Sequence, residues 1–273
     1  MKTSRLKNIV IVILLLVNAF LLFLLLSRRA EERDSNERRV EQLCTLFEKN
    51  GVAFDRALLP DEETHLLPDE EAHLSLSLER DTAREEAFAS ALLGTAESSD
   101  SGGGVSRFTG EYGSCSIRSG GTVDALLSRP VDDPESFCKQ FFKTFGYTFL
   151  TSQLTDGSGS VTGMRSEKGQ LIFNASLTLT FSDSSLTGVS GTFLPALDEG
   201  RRTDGLDAVD ALVHFLDYCS VSGVVCTEVR ALDEGYLLQT SSASPLRLQG
   251  VWRISTDVSS YYVNCKTGEI TRE

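Results

Sequence analysis

The sequence predicts an α+β fold held at a membrane by one N-terminal transmembrane helix and a stalk. Three observations carry that expectation. An apolar run of 18 residues, broken only by one amide, lies close to the N-terminus. Stretches with helical periodicity are each followed by stretches that alternate with a period of two. These come as repeated helix-then-strands blocks, without regular β-α-β alternation, which indicates helices packed on an antiparallel β-sheet.

Residues 9–26 are all Ile, Val, Leu or Phe apart from Asn18 and Ala19. At 1.5 Å per residue the run spans about 27 Å, close to the hydrocarbon thickness of a bilayer. Its large apolar residues each favour insertion by about 0.3–0.6 kcal/mol, which outweighs one central amide. The run ends Leu26-Ser27-Arg28-Arg29, without the small residues of a cleavage site, so it reads as an uncleaved signal anchor. Residues 1–8 form the tail before it. Lys2, Arg5 and Lys7 precede the helix, and Arg28, Arg29, Arg33, Arg38 and Arg39 follow it, so positive charge leaves the orientation open. The short tail favours a cytoplasmic N-terminus, a single pass through the cell membrane and an extracytoplasmic C-terminal domain.

With 26 Lys and Arg against 39 Asp and Glu, the net charge is −13, and no acid precedes Glu31. The part beyond the anchor is therefore strongly acidic, which argues against nucleic acid and against broad adhesion to anionic lipid. The six cysteines show no C-x-x-C and no zinc-type spacing. They read as buried thiols or, outside the cytoplasm, as disulfide partners.

Residues 27–52 read as a juxtamembrane helix. Val40, Leu43, Cys44 and Phe47 fall at i, i+3, i+4 and i+7, one apolar stripe, and Gly51 is the expected stop. The stripe packs on the chain's own domain or on a partner helix, self-packing being the simpler. Residues 53–78 form an acidic connector that contains a duplicated octapeptide, 59–66 and 67–74. Its His65 and His73 sit among carboxylates, but a flexible loop weakens any metal site, and a duplicated linker is the better account.

Residues 79–273 form the α+β domain, with sub-blocks at 79–130, 131–202 and 203–273. The first helix covers 79–93, a Ser/Gly loop 98–104, and strands 105–127. The second helix starts at Asp133-Pro134, carries Phe137, Phe141, Phe142 and Phe145, and stops at Gly146. After it, Leu171, Phe173, Ala175, Leu177, Leu179 and Phe181 alternate with Ile172, Asn174, Ser176, Thr178 and Thr180, which puts the first set on one buried face. The third block opens at Asp204, with Leu206, Val209, Leu212, Val213, Leu216 and Cys219 on one arc and Gly223 at the end. Leu246, Leu248, Trp252, Ile254 and Thr256 then share a strand face. Residues 261–264 lead through a Lys266-Thr267-Gly268 turn into a last short strand.

The sequence carries no G-x-S-x-G elbow, phosphate loop or H-E-x-x-H. His214 falls beside Asp210 and Asp217 on the acidic face of the third helix and reads as solvated. Ser136-Phe137-Cys138-Lys139 matches S-x-x-K, and Lys266-Thr267-Gly268 matches K-T-G, two signatures of penicillin-binding enzymes. The S-D-N element that belongs between them is missing. Asn174-Ala175-Ser176 is a glycosylation-type sequon inside a strand and reads as accidental. The expectation is a non-enzyme with no cofactor, no metal and no small-molecule substrate.

The basic tail, the Leu-rich anchor with Asn18 near its middle, and the charged helix ending Phe47-Glu48-Lys49-Asn50-Gly51-Val52 resemble the start of YycH/YycI-type proteins. Val251-Trp252-Arg253-Ile254 and the stretch from Tyr261-Tyr262-Val263-Asn264 to Lys266-Thr267-Gly268-Glu269-Ile270 resemble their ending, and also the closing hairpin of PepSY-like modules. The likeness is one of layout over most of the chain, with recognisable wording at its two ends. The acidic duplication and the six cysteines depart from it. It implies a non-enzymatic regulator in a Gram-positive cell envelope, beside the sensor histidine kinase of a two-component system and restraining it partly through transmembrane contacts. A PepSY-like envelope module that binds or inhibits an extracytoplasmic protease or a wall-assembly factor is the alternative. A lone amide in mid-bilayer seeks a partner, and bonds of that kind between helices contribute about 0.6–2 kcal/mol. Asn18 is therefore the candidate partner-binding residue, with bonding to its own backbone as the competing reading.

Overall fold

The computed structural model describes residues 17–18, 20–22, 35–60, 81–100, 103–167, 169–194, 205–241 and 244–273. Of the expected anchor, residues 17–18 and 20–22 are described and helical, and the remainder lies outside the described residues, as do the tail and 27–34. Among the described residues no helix is long and apolar enough to cross a membrane. Asp204, His65, His73 and nearly all of the octapeptide duplication also lie outside them.

Helix α1 is described over 35–49. Three further helices each precede four strands. The first set is α2 (Thr82–Leu93), β1 (Ala96–Asp100), β2 (Val105–Gly110), β3 (Gly113–Arg118) and β4 (Thr122–Pro130). The second is α3 (Pro134–Phe145), β5 (Tyr147–Thr155), β6 (Ser158–Glu167), β7 (Gln170–Ser182) and β8 (Ser185–Thr192). The third is α4 (Ala208–Ser222), β9 (Val229–Ser241), β10 (Ser244–Thr256), β11 (Ser260–Asn264) and β12 (Ile270–Arg272). The helices begin where an aspartate accepts a free backbone N–H, from Arg84 to Asp81, from Glu135 and Ser136 to Asp133, and from Asp210 to Asp207. They stop at Gly94, Gly146 and Gly223.

Two boundaries differ from expectation. The first helix starts at Thr82 because Asp81 caps it. The stretch expected as a loop at 98–104 instead gives its first three residues to β1, where Ser98 pairs with Phe108 and Ser99 with Arg107. Ladder hydrogen bonds come from the backbone, so a serine run is enough to cover the edge of β2.

The strands form one sheet in the order β1-β2-β3-β4-β8-β7-β9-β10-β11-β12, with β6 on β7 and β5 on β6. Strand β7 is the hub. One of its edges pairs with β6, while the other pairs with β8 from Leu177 onward and with β9 at Leu171 and Ile172. The β7–β9 pair is parallel, so the sheet is mixed and mostly antiparallel rather than wholly antiparallel as expected. The connection from β8 to β9 carries α4, and because β8 runs antiparallel to β7, β9 runs opposite to β8.

Strand β7 also corrects the expected single buried face. Its register with β6 slips between Met164↔Ser176 and Ser166↔Leu171, which is a bulge in β7. Beyond the bulge Ala175, Leu177, Leu179 and Phe181 face the helices as expected. Before it the phase reverses. Ile172 faces the helices, and Phe173, with Leu171, joins Met164, Val251 and Tyr262 on the opposite face.

Two helix-side cores result. One packs α2 and α3, through Phe88, Phe141, Phe142 and Phe145, on β2 to β4 and β6 to β8. The other packs α1 and α4 on β9 to β11 around Trp252 and Tyr261. In α4 the buried arc is carried by Ala211, Leu212, Phe215 and Leu216, while Val213, expected inside, is 42% exposed. Leu206 precedes the helix, and its carbonyl accepts the Trp252 indole N–H at 2.7 Å.

Candidate functional site: the docked stalk helix and the sheet seam

Helix α1 buries the stripe read from the sequence. Val40, Leu43 and Phe47 are 6%, 2% and 1% exposed and belong to the core around α4. The self-packing reading is thus the one the fold adopts. The helix ends as its sequence dictates. Gly51 takes φ +71°, the Gly51 N–H bonds Glu48 O at 3.0 Å, and the Val52 N–H bonds Phe47 O at 3.1 Å. Val52 and Phe47 share the same core, the apolar contact that accompanies this motif. The chain then pairs with the start of β9. The Ala53 N–H donates to Thr227 O at 2.8 Å, and the Val229 N–H donates to Ala53 O at 2.9 Å.

A fork of charge orients the helix. Arg39 donates from Nη1 to Asp207 at 2.8 Å and from Nη2 to Asp210 at 2.9 Å. Asp207 also caps α4, so one carboxylate joins the two helices. The hydrogen bond to Asp207, with the negative charge of Asp207 and Asp210, raises the Arg39 pKa. The Arg39 side chain is 40% exposed, which limits such a pair to about 0.2–1 kcal/mol. Each buried apolar side chain contributes about 1.5–3 kcal/mol. The stripe therefore holds α1 in place, and the fork sets its register.

The second feature is the seam where β9 meets β7. Backbone pairing stops at Ile172, and the Asn174 side chain replaces it by bonding both peptide groups of Leu238. On the face opposite the core around α4, Arg253 stacks over Phe173, 4.4 Å from its ring centroid, and bonds Asp233 at 2.7 and 3.2 Å. Tyr262, directly across the ladder from Arg253, lies 5.7 Å from the Phe173 ring, and burial pushes its pKa up to about 12. The result is an arginine held between the Asp233 carboxylate and the Phe173 ring. On the other face Glu234 pairs with Trp252 across the ladder, and burial raises its pKa to about 6 against the opposing hydrogen bond from Gln170.

The residues singled out from the sequence are scattered. Asn18 is helical and exposed, and most residues around it lie outside the described ones. The exposed His214 ring lies against Gly268, where an added Cβ would come within 2.8 Å of it, so the glycine belongs to that contact. The Ser136 hydroxyl donates to Asp133 at 2.6 Å, and Lys139 pairs with Glu135 at 2.7 Å, so neither points to the other. Lys266-Thr267-Gly268 is a turn in which Asn264 accepts the N–H groups of Lys266 and Thr267. It lies by the core around α4, away from α3. Among the described residues no group of three or more His, Cys, Asp or Glu is arranged to hold a metal ion.

Three participants escaped the sequence reading. Arg39 adjoins the apolar stripe, but its partners are distant in sequence. Asn174 was visible as an amide in a strand, a residue type depleted there, which signals a side chain with a specific bond to make. Arg165 is 4% exposed and donates to Phe145 O at 2.7 Å and Gly146 O at 3.1 Å, capping the end of α3.

No known protein-family model matches the chain. No curated protein matches it either. Solved structures that match the chain include the following two. A crystal structure of an uncharacterized protein from Eubacterium rectale superposes with a TM-score of 0.43 at 9% identity, over 74% of this chain and 84% of that one. The Bacillus megaterium YpeB C-terminal domain gives a TM-score of 0.38 at 13% identity, over 71% of this chain and 97% of that one. Neither likeness bears on function, and the resemblance to YycH/YycI-type proteins rests on the sequence alone.

Proposed function

We propose that the chain is a membrane-anchored, non-catalytic regulatory protein that modulates a sensor histidine kinase of a cell-envelope two-component system. It acts through contacts in the membrane and outside it. The observation that carries this reading is the docking of α1. The helix that the sequence places just after the anchor is held by three buried side chains and an arginine fork to the third block. A partner that shifts the anchor then shifts the sheet domain, and a ligand on the domain biases the anchor. The sequence resemblance supplies the kinase as partner, and Asn18 supplies a polar contact for its transmembrane helix.

The test is photocrosslinking in membranes with a photoreactive residue at position 18, with the captured protein identified by mass spectrometry. Capture of a sensor kinase, lost in Asn18→Leu together with its effect on kinase output, is the expected result. If an unrelated membrane helix replaces the anchor without loss of function, the helix-contact reading fails. The envelope-module alternative, binding a protease or a wall-assembly factor through the domain alone, then takes its place.

A further inference from the structure

We infer that strand β5 is the seam of a symmetric dimer, in which it pairs antiparallel with β5 of a second copy of this chain. Among the described residues three strands pair on one side alone, β1, β5 and β12. An edge of that kind offers a row of unpaired backbone N–H and C=O groups to another chain, and charge or shortness usually guards it. Strand β1 carries Glu97 and Asp100, and β12 is three residues long and holds Arg272. Strand β5, Tyr147–Thr155, is nine residues long and has no charge, no proline and no glycine. Its register with β6 slips once, at Leu150, and from Thr151 to Thr155 the pairing is unbroken. Along that stretch Thr151, Ser152, Gln153 and Thr155 are exposed. The edge is therefore open to strand addition.

Charge and register both select a second copy as the occupant. At net charge −13 the chain repels itself over most of its surface, and β5 is a neutral strip. The charges at the two ends of the strip are opposite. Near its start Lys139, which also pairs with Glu135, lies 5.8 Å from the Phe149 ring. Exposed Lys143 follows one turn on, along the same face of α3. Past the other end the Ser184 N–H donates to Gly157 O at 2.9 Å, which joins the turn of exposed Asp156 to that of exposed Asp183. Antiparallel pairing lays the acidic end of each copy against the basic end of the other. With the two-fold axis at Gln153, Thr151 faces Thr155 of the second copy and Ser152 faces Leu154, so no like charges meet along the ladder. Asp156 then arrives opposite Leu150, next to the Phe149 ring that Lys139 overlies. The inference is independent of the regulatory reading.

The test measures the mass of the full chain in detergent by sedimentation equilibrium, and the parent is expected to form the dimer. A charge placed on the axis meets its own copy. Gln153→Lys and Gln153→Glu should therefore each raise the dimer dissociation constant about fivefold or more. An equimolar mixture of the two variants sets opposite charges face to face and should recover the affinity of the parent. That recovery also shows that both variants fold. A parent that stays monomeric overturns the inference, including one whose β5 edge takes up an extended segment of a different protein. Variants that dimerise as tightly as the parent overturn it too, because the copies then meet elsewhere. So does a mixture no tighter than its two components, which removes the axis from Gln153.

Discussion

The Asn174 carboxamide and the Leu238 peptide face each other as a matched pair. Nδ2 donates to Leu238 O at 2.8 Å, and Oδ1 accepts the Leu238 N–H at 2.7 Å. Where the bulge in β7 ends its parallel ladder with β9, a side chain extends the ladder by one unit. The same bonds occupy the nitrogen that a glycan on the Asn174-Ala175-Ser176 sequon would need.

Replacing Asn174 with leucine strands both groups of Leu238 at the join between the two halves of the sheet. The expected cost is about 2–4 kcal/mol, measured by denaturant unfolding. Hydrogen exchange at Leu238 should rise more than at Leu212 in α4. Equal protection in the two chains would show that the amide is dispensable.

Helix α1 should depend on its apolar stripe far more than on its fork. Leu43→Ala is expected to cost about 2–4 kcal/mol and Arg39→Ala no more than about 1 kcal/mol. Both should speed hydrogen exchange across 35–50, the first strongly. A fork variant as damaging as Leu43→Ala would reverse that ranking.

Glu234 sets a pH dependence of definite sign. Its folded pKa, about 6, lies above the unfolded value, so between pH 4.5 and 6 the folded chain binds more protons than the unfolded one. Stability therefore falls as pH rises through that window. With partial exposure discounted, the fall is about 1 kcal/mol. Glu234→Gln should flatten this part of the profile, as read by thermal melts at successive pH values. A stability that falls less in the variant than in the parent between pH 4.5 and 6 would confirm the sign, and one that falls identically would refute it.

Arg165→Met keeps most of the buried stem but leaves the Phe145 carbonyl with only the 3.4 Å contact from Arg84 and the Gly146 carbonyl with only the Ser166 N–H. The loss should be about 1–3 kcal/mol, with faster exchange confined to the last turn of α3 and to residues 146–147. Global loosening without that local signature would place the role of Arg165 elsewhere.

The helices were legible because their causes are local. Asp133, Pro134 and Gly146 bracket α3 within one stretch of chain, and the α1 stripe with Gly51 does the same for the stalk. Strand β7 was legible as a strand but not as a two-faced one. Its period of two holds from Ala175 to Phe181, and nothing in the pattern marks the bulge that turns Phe173 away. Val213 fits the helical arc, yet it is 42% exposed.

The candidate site divides along the same line. That α1 would bury Val40, Leu43 and Phe47 follows from their spacing. That they would lie against α4, the last helix rather than the next one, does not. Arg39 and Asp207 stand 168 residues apart, and no periodicity reaches that far. Local chemistry decides where an element starts, stops and turns its apolar side, because caps, dihedral preferences and side-chain alternation act within a few residues. Which element meets which is decided when the whole chain buries its surface at once, and here that choice seated the stalk on the third block and left Asn174 to complete the seam.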